Sequence, residues 1–332
     1  MRNTRVLLTA LGGPEVLKVI EDEIREPAAN EVRVRILACG VAFADVLMRR
    51  GLYSGVPPLP YSPGYDIVGT VESCGAAVAE FMFGDVVAAI TQTGGYSQYI
   101  VLSESELVRV PAGLDPAEAV SLVLNYTTAY QLIHRIAKLR AGESVLIHGA
   151  AGGVGTAALQ LGSLAGLKMF GTASKPKRDL VESLGGIPID YRSEDFVQRA
   201  AGVSAAFDPI GGRNWMRSYR ALGKGGRFVG YGMSAALERG RRNMLLAVAS
   251  FAWLGVAGLL PGKSARWYNI MTEKKKHPEW FREDLTRLLT MLEEKSIRPV
   301  VAERLPLREA ARAHELLEHA SVSGKIVLMC QD

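Results

Sequence analysis

The sequence predicts an α/β protein in two parts: a barrel-like domain of short β-strands, and a doubly wound parallel sheet flanked by helices. Three observations carry this. Short β-branched runs separated by Gly and Pro turns fill the first third of the chain. Beyond Pro116, strands alternate with helices. Within that second stretch, a Gly-rich turn at Gly149 follows one strand and opens one helix. The length, 332 residues, suits two domains.

Taken in order, strands are expected at 4–8, 31–38 (Val32, Val34, Ile36), Ile67–Ser73, Val86–Ile90 and Gln98–Val101. Gly12-Gly13-Pro14, Pro27, Gly51, Pro57-Pro58 and Pro60 punctuate them. A helix opens over Pro116–Leu124 with Asp115 as its N-cap, and Asn125–Lys138 continues helical. Strand and helix then alternate through Ser144–His148, Thr156–Ala165, Lys168–Thr172, Arg178–Leu184, Ala205–Asp208, Trp215–Ala221 and Arg227–Gly230. The tail reads as a helix over Pro278–Lys295, a strand at Arg298–Val301, a helix over Leu307–His319 and a strand at Lys325–Met329.

Composition excludes several classes. Cys39, Cys74 and Cys330 are scattered, with no Cys-x-x-Cys pair, which fits a reducing cytoplasm better than a disulfide framework or a cysteine zinc site. Arg2 and Arg5 precede no long apolar run, so no signal peptide is expected. The net charge of +5 is dispersed, and Lys274-Lys275-Lys276 reads as a solvated face, so no specific nucleic-acid partner is expected. Met244–Leu260 holds no charged residue but is too short for a transmembrane span. It reads as a buried helix, a subunit contact or an apolar substrate wall, with peripheral membrane contact left open.

The strongest motif runs Val145-Leu146-Ile147-His148-Gly149-Ala150-Ala151-Gly152-Gly153-Val154-Gly155. Small Ala150 permits the tight turn, Gly152 lets backbone approach a pyrophosphate, and Gly155 allows close helix–strand packing. The N–H groups of Gly153, Val154 and Gly155 then face the phosphates at a helix N-terminus. At the next strand end, Phe170-Gly171-Thr172-Ala173-Ser174 holds no acid for a free ribose, and Lys175, Lys177 and Arg178 follow. Ser174, Lys177 and Arg178 are the expected 2′-phosphate ligands, which makes the cofactor NADPH.

These residues, with Gly142-Glu143-x-x-Leu146 before the turn and Gln160-x-x-Ser163 after it, resemble the quinone oxidoreductase signature of the zinc-free medium-chain dehydrogenase/reductases. The likeness extends through Ala38–Asp45, Arg50–Tyr53, Pro63–Asp66, Gly84–Val87, Asn125–Tyr130 and Gly324–Leu328. Asp208–Gly212, Tyr231–Ser234 and the apolar run after Asn243 lean toward the vesicle amine transport protein-like branch. The resemblance implies a GroES-like β-barrel catalytic domain (1–123 and 270–332) and a Rossmann NADPH-binding domain (124–269), with the substrate between them. It also implies a homodimer built through the Rossmann sheet edge. Tyr191 and Tyr231 match cofactor-side positions.

Zinc-dependent relatives carry a catalytic Cys near Ala42, a His where Tyr65 stands, and a four-Cys loop; this chain has none of these, so no metal is expected. His148 reads as a packed core residue. The small-molecule substrate must then be electrophilic, a quinone or an enone. Tyr53 is the first candidate for a hydroxyl at the receiving oxygen, and Tyr65 the second. Thr128 matches a position beside the nicotinamide, and Asp45 reads as a structural hydrogen-bonding acid. Ala42 stands where quinone oxidoreductases have Asn, which makes the pocket more apolar. A 2-enoyl thioester reductase, or an NADPH-binding, membrane-associated or crystallin-like protein with little turnover, are the alternatives.

Overall fold

In the computed structural model, which describes residues 1–238 and 241–331, the chain forms two compact units. One is Met1–Thr127 with the tail from Glu279 onward; the other is Thr128–Pro278.

The first unit opens with the antiparallel pair β1 (Arg2–Leu8) and β2 (Leu17–Glu23). Strand β3 (Glu31–Val41) leads into helix α1 (Phe43–Arg49), and β4 (Asp66–Cys74), β5 (Val86–Ile90), β6 (Tyr99–Ser103) and β7 (Val108–Arg109) follow. The alternation seen in the sequence has its expected result: Val32, Val34 and Ile36 of β3 are fully buried. Antiparallel β4 and β6 both pair with β3. Helix α2 (Pro116–Ser121) starts at Asp115, whose carboxylate accepts the N–H groups of Ala117 and Glu118. The helix then continues through a short α segment, α3 (Thr127–Tyr130), between wider π-type turns at Leu122–Tyr126 and Gln131–Ile136.

The second unit alternates as predicted. In order come β8 (Ser144–Ile147), α4 (Gly153–Leu164), β9 (Lys168–Ala173), α5 (Arg178–Ser183), β10 (Ile187–Asp190), α6 (Phe196–Arg199), β11 (Val203–Asp208), α7 (Arg213–Ala221) and β12 (Leu222–Gly230). A short antiparallel pair, β13 (Leu237–Glu238) and β14 (Arg241–Arg242), precedes α8 (Met244–Leu259), β15 (Ser264–Trp267) and α9 (Ile270–Lys276). Six strands form one parallel sheet in the order β10-β9-β8-β11-β12-β15. The order reverses at β8, so the loops after β8 and β11 diverge at the point where doubly wound sheets take their ligands.

The tail returns to the first unit. Helix α10 (Pro278–Glu293) is followed by β16 (Val301–Pro306), α11 (Ala310–Glu318) and β17 (Lys325–Met329). Strand β17 runs antiparallel to β3 and parallel to β16, completing the sheet β16-β17-β3-β4-β5-β7.

Two readings change. The strand expected at Arg298–Val301 lies at Val301–Pro306, because pairing from Val301↔Lys325 to Pro306↔Met329 sets its register. Helix α8 is not buried. Only Ser250, Leu254 and Ala257 are inside, while Leu245 (84% exposed), Val248 (64%), Val256 (60%) and Leu259 (87%) face outward. No helix among the described residues is long and apolar enough to cross a membrane.

Candidate active site

The Gly-rich turn occupies the C-terminal end of β8. Gly149 has φ of 64°, a left-handed conformation that favours Gly. A Cβ on Gly155 would lie 2.3 Å from the Gly149 carbonyl oxygen and 2.6 Å from Ala150 Cα, so only glycine fits where the helix crosses the strand end. A Cβ on Gly152 would sit 3.2 Å from the same oxygen. Ala150 is fully buried, and its N–H donates to the Thr172 carbonyl at 3.0 Å. Gly152 is the N-cap of α4 and offers no side-chain cap, which leaves the first-turn N–H groups of Gly153, Val154 and Gly155 for an external acceptor. A pyrophosphate fits this cradle.

Ser174, Lys177 and Arg178 follow the end of β9, where Ser174 and Lys177 are half-buried and burial holds the Lys177 amine below its ordinary value. The sequence did not reveal Glu194. Its carboxylate lies 3.5 Å from Arg178 Nη1, takes the Asp190 N–H at 2.9 Å, and lies 3.0 Å from Arg199 Nε. An acid therefore stands beside the basic trio, contributed by the loop after β10. Tyr191, 53% exposed, lies on that loop beneath the Arg192 guanidinium. Tyr231 follows β12, donates its N–H to the Asp208 carbonyl at 3.1 Å, and has its phenol pushed up by burial and by Asp208.

In the first unit the two candidate tyrosines meet. The hydroxyls of Tyr53 and Tyr65 are 2.8 Å apart, with the rings edge to face at 6.2 Å. Tyr65 is buried and held through its backbone: its carbonyl accepts the N–H groups of Thr91 and Gln92. Gly64 before it has φ of 107°, and a Cβ there would strike Tyr96 N at 2.5 Å.

Asp45 is fully buried, as a structural acid should be. One carboxylate oxygen accepts the Ala42 N–H at 2.8 Å, the other the Gly64 N–H at 3.2 Å. Burial pushes its carboxyl up to about 7 against those donors. Behind it, Tyr96 Oη lies 3.4 Å from Asp45 and 3.0 Å from His314 Nε2, and Arg49 Nε donates to His314 Nδ1 at 3.2 Å. Burial, helped by Arg49, pulls the His314 imidazole down to about 3. Arg49 is itself buried and pairs with Glu318 at 2.5 Å. Next to Tyr65, the fully buried Asp66 carboxylate lies 2.9 Å from Lys325 Nζ.

Thr128 belongs to the second unit and is buried in α3. Among the described residues no group of three or more His, Cys, Asp or Glu side chains is placed to hold a metal ion.

A Gly-rich turn on a doubly wound sheet, with a β unit presenting paired hydroxyls, defines a dinucleotide-type oxidoreductase fold. Family models match residues 28–112 (alcohol dehydrogenase GroES-like domain) and 186–328 (zinc-binding dehydrogenase). The chain is 33% identical to the quinone oxidoreductase of Rattus norvegicus, over 99% of this chain and 98% of that one. It is 32% identical to the rat synaptic vesicle membrane protein VAT-1 homolog, over 98% of this chain and 83% of the relative. The Escherichia coli quinone oxidoreductase complexed with NADPH superposes with a TM-score of 0.87 at 29% identity, covering 98% of this chain and 99% of that one. The chain belongs to the quinone oxidoreductase family of zinc-free medium-chain dehydrogenase/reductases.

Proposed function

We propose that this oxidoreductase takes hydride from NADPH and delivers it to a quinone or an α,β-unsaturated carbonyl, with no metal in the step. The observation that carries the reading is the Tyr53–Tyr65 hydroxyl pair at 2.8 Å. Buried Tyr65 fills the position where a metal ligand would otherwise stand. It accepts from or donates to Tyr53, which fixes the orientation of the half-buried Tyr53 hydroxyl. NADPH, when bound, supplies the hydride. Tyr53 donates its proton to the substrate oxygen as negative charge arrives there, and the tyrosinate regains a proton from Tyr65 or water. The main-chain cradle at Gly152–Gly155 binds the pyrophosphate. Ser174, Lys177 and Arg178 bind the 2′-phosphate, with Arg178 turning from Glu194 toward the stronger anion. Tyr191 and Tyr231 flank the nucleotide, and Thr128 lies on the nicotinamide side. Uncharged Ala42 leaves the substrate pocket apolar.

The reading includes a homodimer in the cytoplasm. Strand β15 ends the six-stranded sheet with an open edge beside the exposed face of α8, and Cys39, Cys74 and Cys330 are free thiols. Sedimentation and cell fractionation test these two points.

The central test is NADPH oxidation with a benzoquinone, a naphthoquinone, a 2-alkenal and a 2-enoyl thioester. Turnover with the quinones or the alkenal supports the proposal. Turnover with the thioester alone makes the chain an enoyl reductase. Binding of NADPH with no turnover makes it a binding protein, the role that Ala42 and the exposed α8 favour.

A further inference from the structure

Three parallel strands of the second unit end on one buried polar cluster. His148 follows β8, Thr172 lies in β9 and Asp208 ends β11, while Ser218 rises from α7. None of the four is more than 2% exposed. His148 Nδ1 is 3.0 Å from Thr172 Oγ1, and Nε2 is 2.9 Å from Ser218 Oγ. Ser218 Oγ lies 2.7 Å from Asp208 Oδ2.

The donors follow by elimination. A carboxylate only accepts, so the single Ser218 proton goes to Asp208. His148 must then donate from Nε2 to Ser218. Burial holds the imidazole below its ordinary value, with Asp208 opposing and Arg217 adding to the effect, so the ring is neutral. A neutral ring with its proton on Nε2 accepts at Nδ1, and the Thr172 hydroxyl supplies that proton.

The cluster reaches the turns that follow β8, β11 and β12. Asp208 Oδ1 accepts the N–H groups of Ile210 at 2.7 Å and Gly211 at 3.4 Å, and Oδ2 accepts Asn214 Nδ2 at 2.8 Å. The Asp208 carbonyl accepts the Tyr231 N–H, and the Thr172 carbonyl accepts the Ala150 N–H.

We infer that His148 is a positioning residue: through Thr172 on one side and Ser218–Asp208 on the other, it sets the Gly149 turn and the Ile210–Gly212 turn at a fixed spacing for the dinucleotide. This rests on the NADPH reading above.

The test compares His148→Leu with His148→Gln, whose amide N–H falls where Nε2–H stands. Two quantities are read: the NADPH dissociation constant, and hydrogen exchange at the Ile210 and Gly211 amides. His148→Leu should weaken NADPH about tenfold, the scale of one lost buried hydrogen bond, and speed exchange at both amides. His148→Gln should restore both. Wild-type values in His148→Leu, or equal losses in the two variants, overturn the inference. If His148→Leu does not fold, Ser218→Ala removes one hydroxyl and must show weaker NADPH and faster exchange; unchanged values overturn the inference equally. A wild-type protein that binds no dinucleotide defeats the NADPH reading alone, because the exchange comparison still decides the role of His148.

Discussion

Each unit buries a neutral histidine behind a hydroxyl and a carboxylate. In the first, Arg49 donates to His314, His314 to Tyr96, and Tyr96 to Asp45. In the second, Thr172 donates to His148, His148 to Ser218, and Ser218 to Asp208. Both carboxylates then take two backbone N–H groups, from Ala42 and Gly64 in one case and Ile210 and Gly211 in the other. The relays differ at the head. A buried cation paired with Glu318 starts the first, and an uncharged hydroxyl starts the second. Backbone N–H groups are therefore held once with a charge that must stay compensated and once without one.

The sharpest break of this comparison is Glu318→Gln. It removes the carboxylate that pairs with the buried Arg49 guanidinium and should cost roughly 3 kcal/mol in urea unfolding. A loss below that of Thr172→Val would refute the charged-head distinction. Catalysis should divide between the units in a similar way. Tyr53→Phe should lower kcat about tenfold or more and leave NADPH affinity intact. Arg178→Ala should weaken NADPH about tenfold, spare NADH and leave kcat intact. Steady-state kinetics with both cofactors reads the two together, and a shared effect would erase the division. Thr172→Val removes one hydroxyl from the uncharged relay and should cost about 1 kcal/mol.

A further effect concerns pH. His314 has a folded value of about 3 against an ordinary 6.5, so the unfolded chain binds a proton the folded one refuses, and stability is lost as pH falls below 6.5. Asp45 is opposite: with a folded value of about 7 against 3.8, it adds stability as pH falls between those values. His314→Gln removes the first contribution and leaves the second. Its urea midpoint should rise from about pH 7 to about pH 5 relative to wild type. Parallel pH profiles would show that the imidazole does not contribute.

The sheet of the second unit was legible because its strands and helices carry their own local patterns, and the Gly149 turn because its glycines are demanded by backbone geometry. The tyrosine pair was legible as two candidates but not as a contact. The elements β2, α1, β10, β15 and α9 were not legible: β10 and β15 span four residues each, and Pro188 interrupts β10. Strand β16 was misplaced because its register comes from β17, not from its own residues. Glu194 and both histidine relays join residues far apart in sequence, 265 positions in the case of Arg49 and His314, and no local pattern encodes such meetings. Helix α8 shows the converse: composition gives an apolar helix, but only the fold tells which face is left open.

Strand β17 also sets the order in which the protein is born. The second unit is continuous in sequence and complete once Pro278 has left the ribosome. The first unit must wait, because β3 lacks a neighbour and Asp66 lacks its lysine until Lys325–Met329 arrives. The unit synthesised first is thus the last to be finished, and during translation the nascent chain holds the whole parallel sheet of the second unit before β3 gains its β17 neighbour.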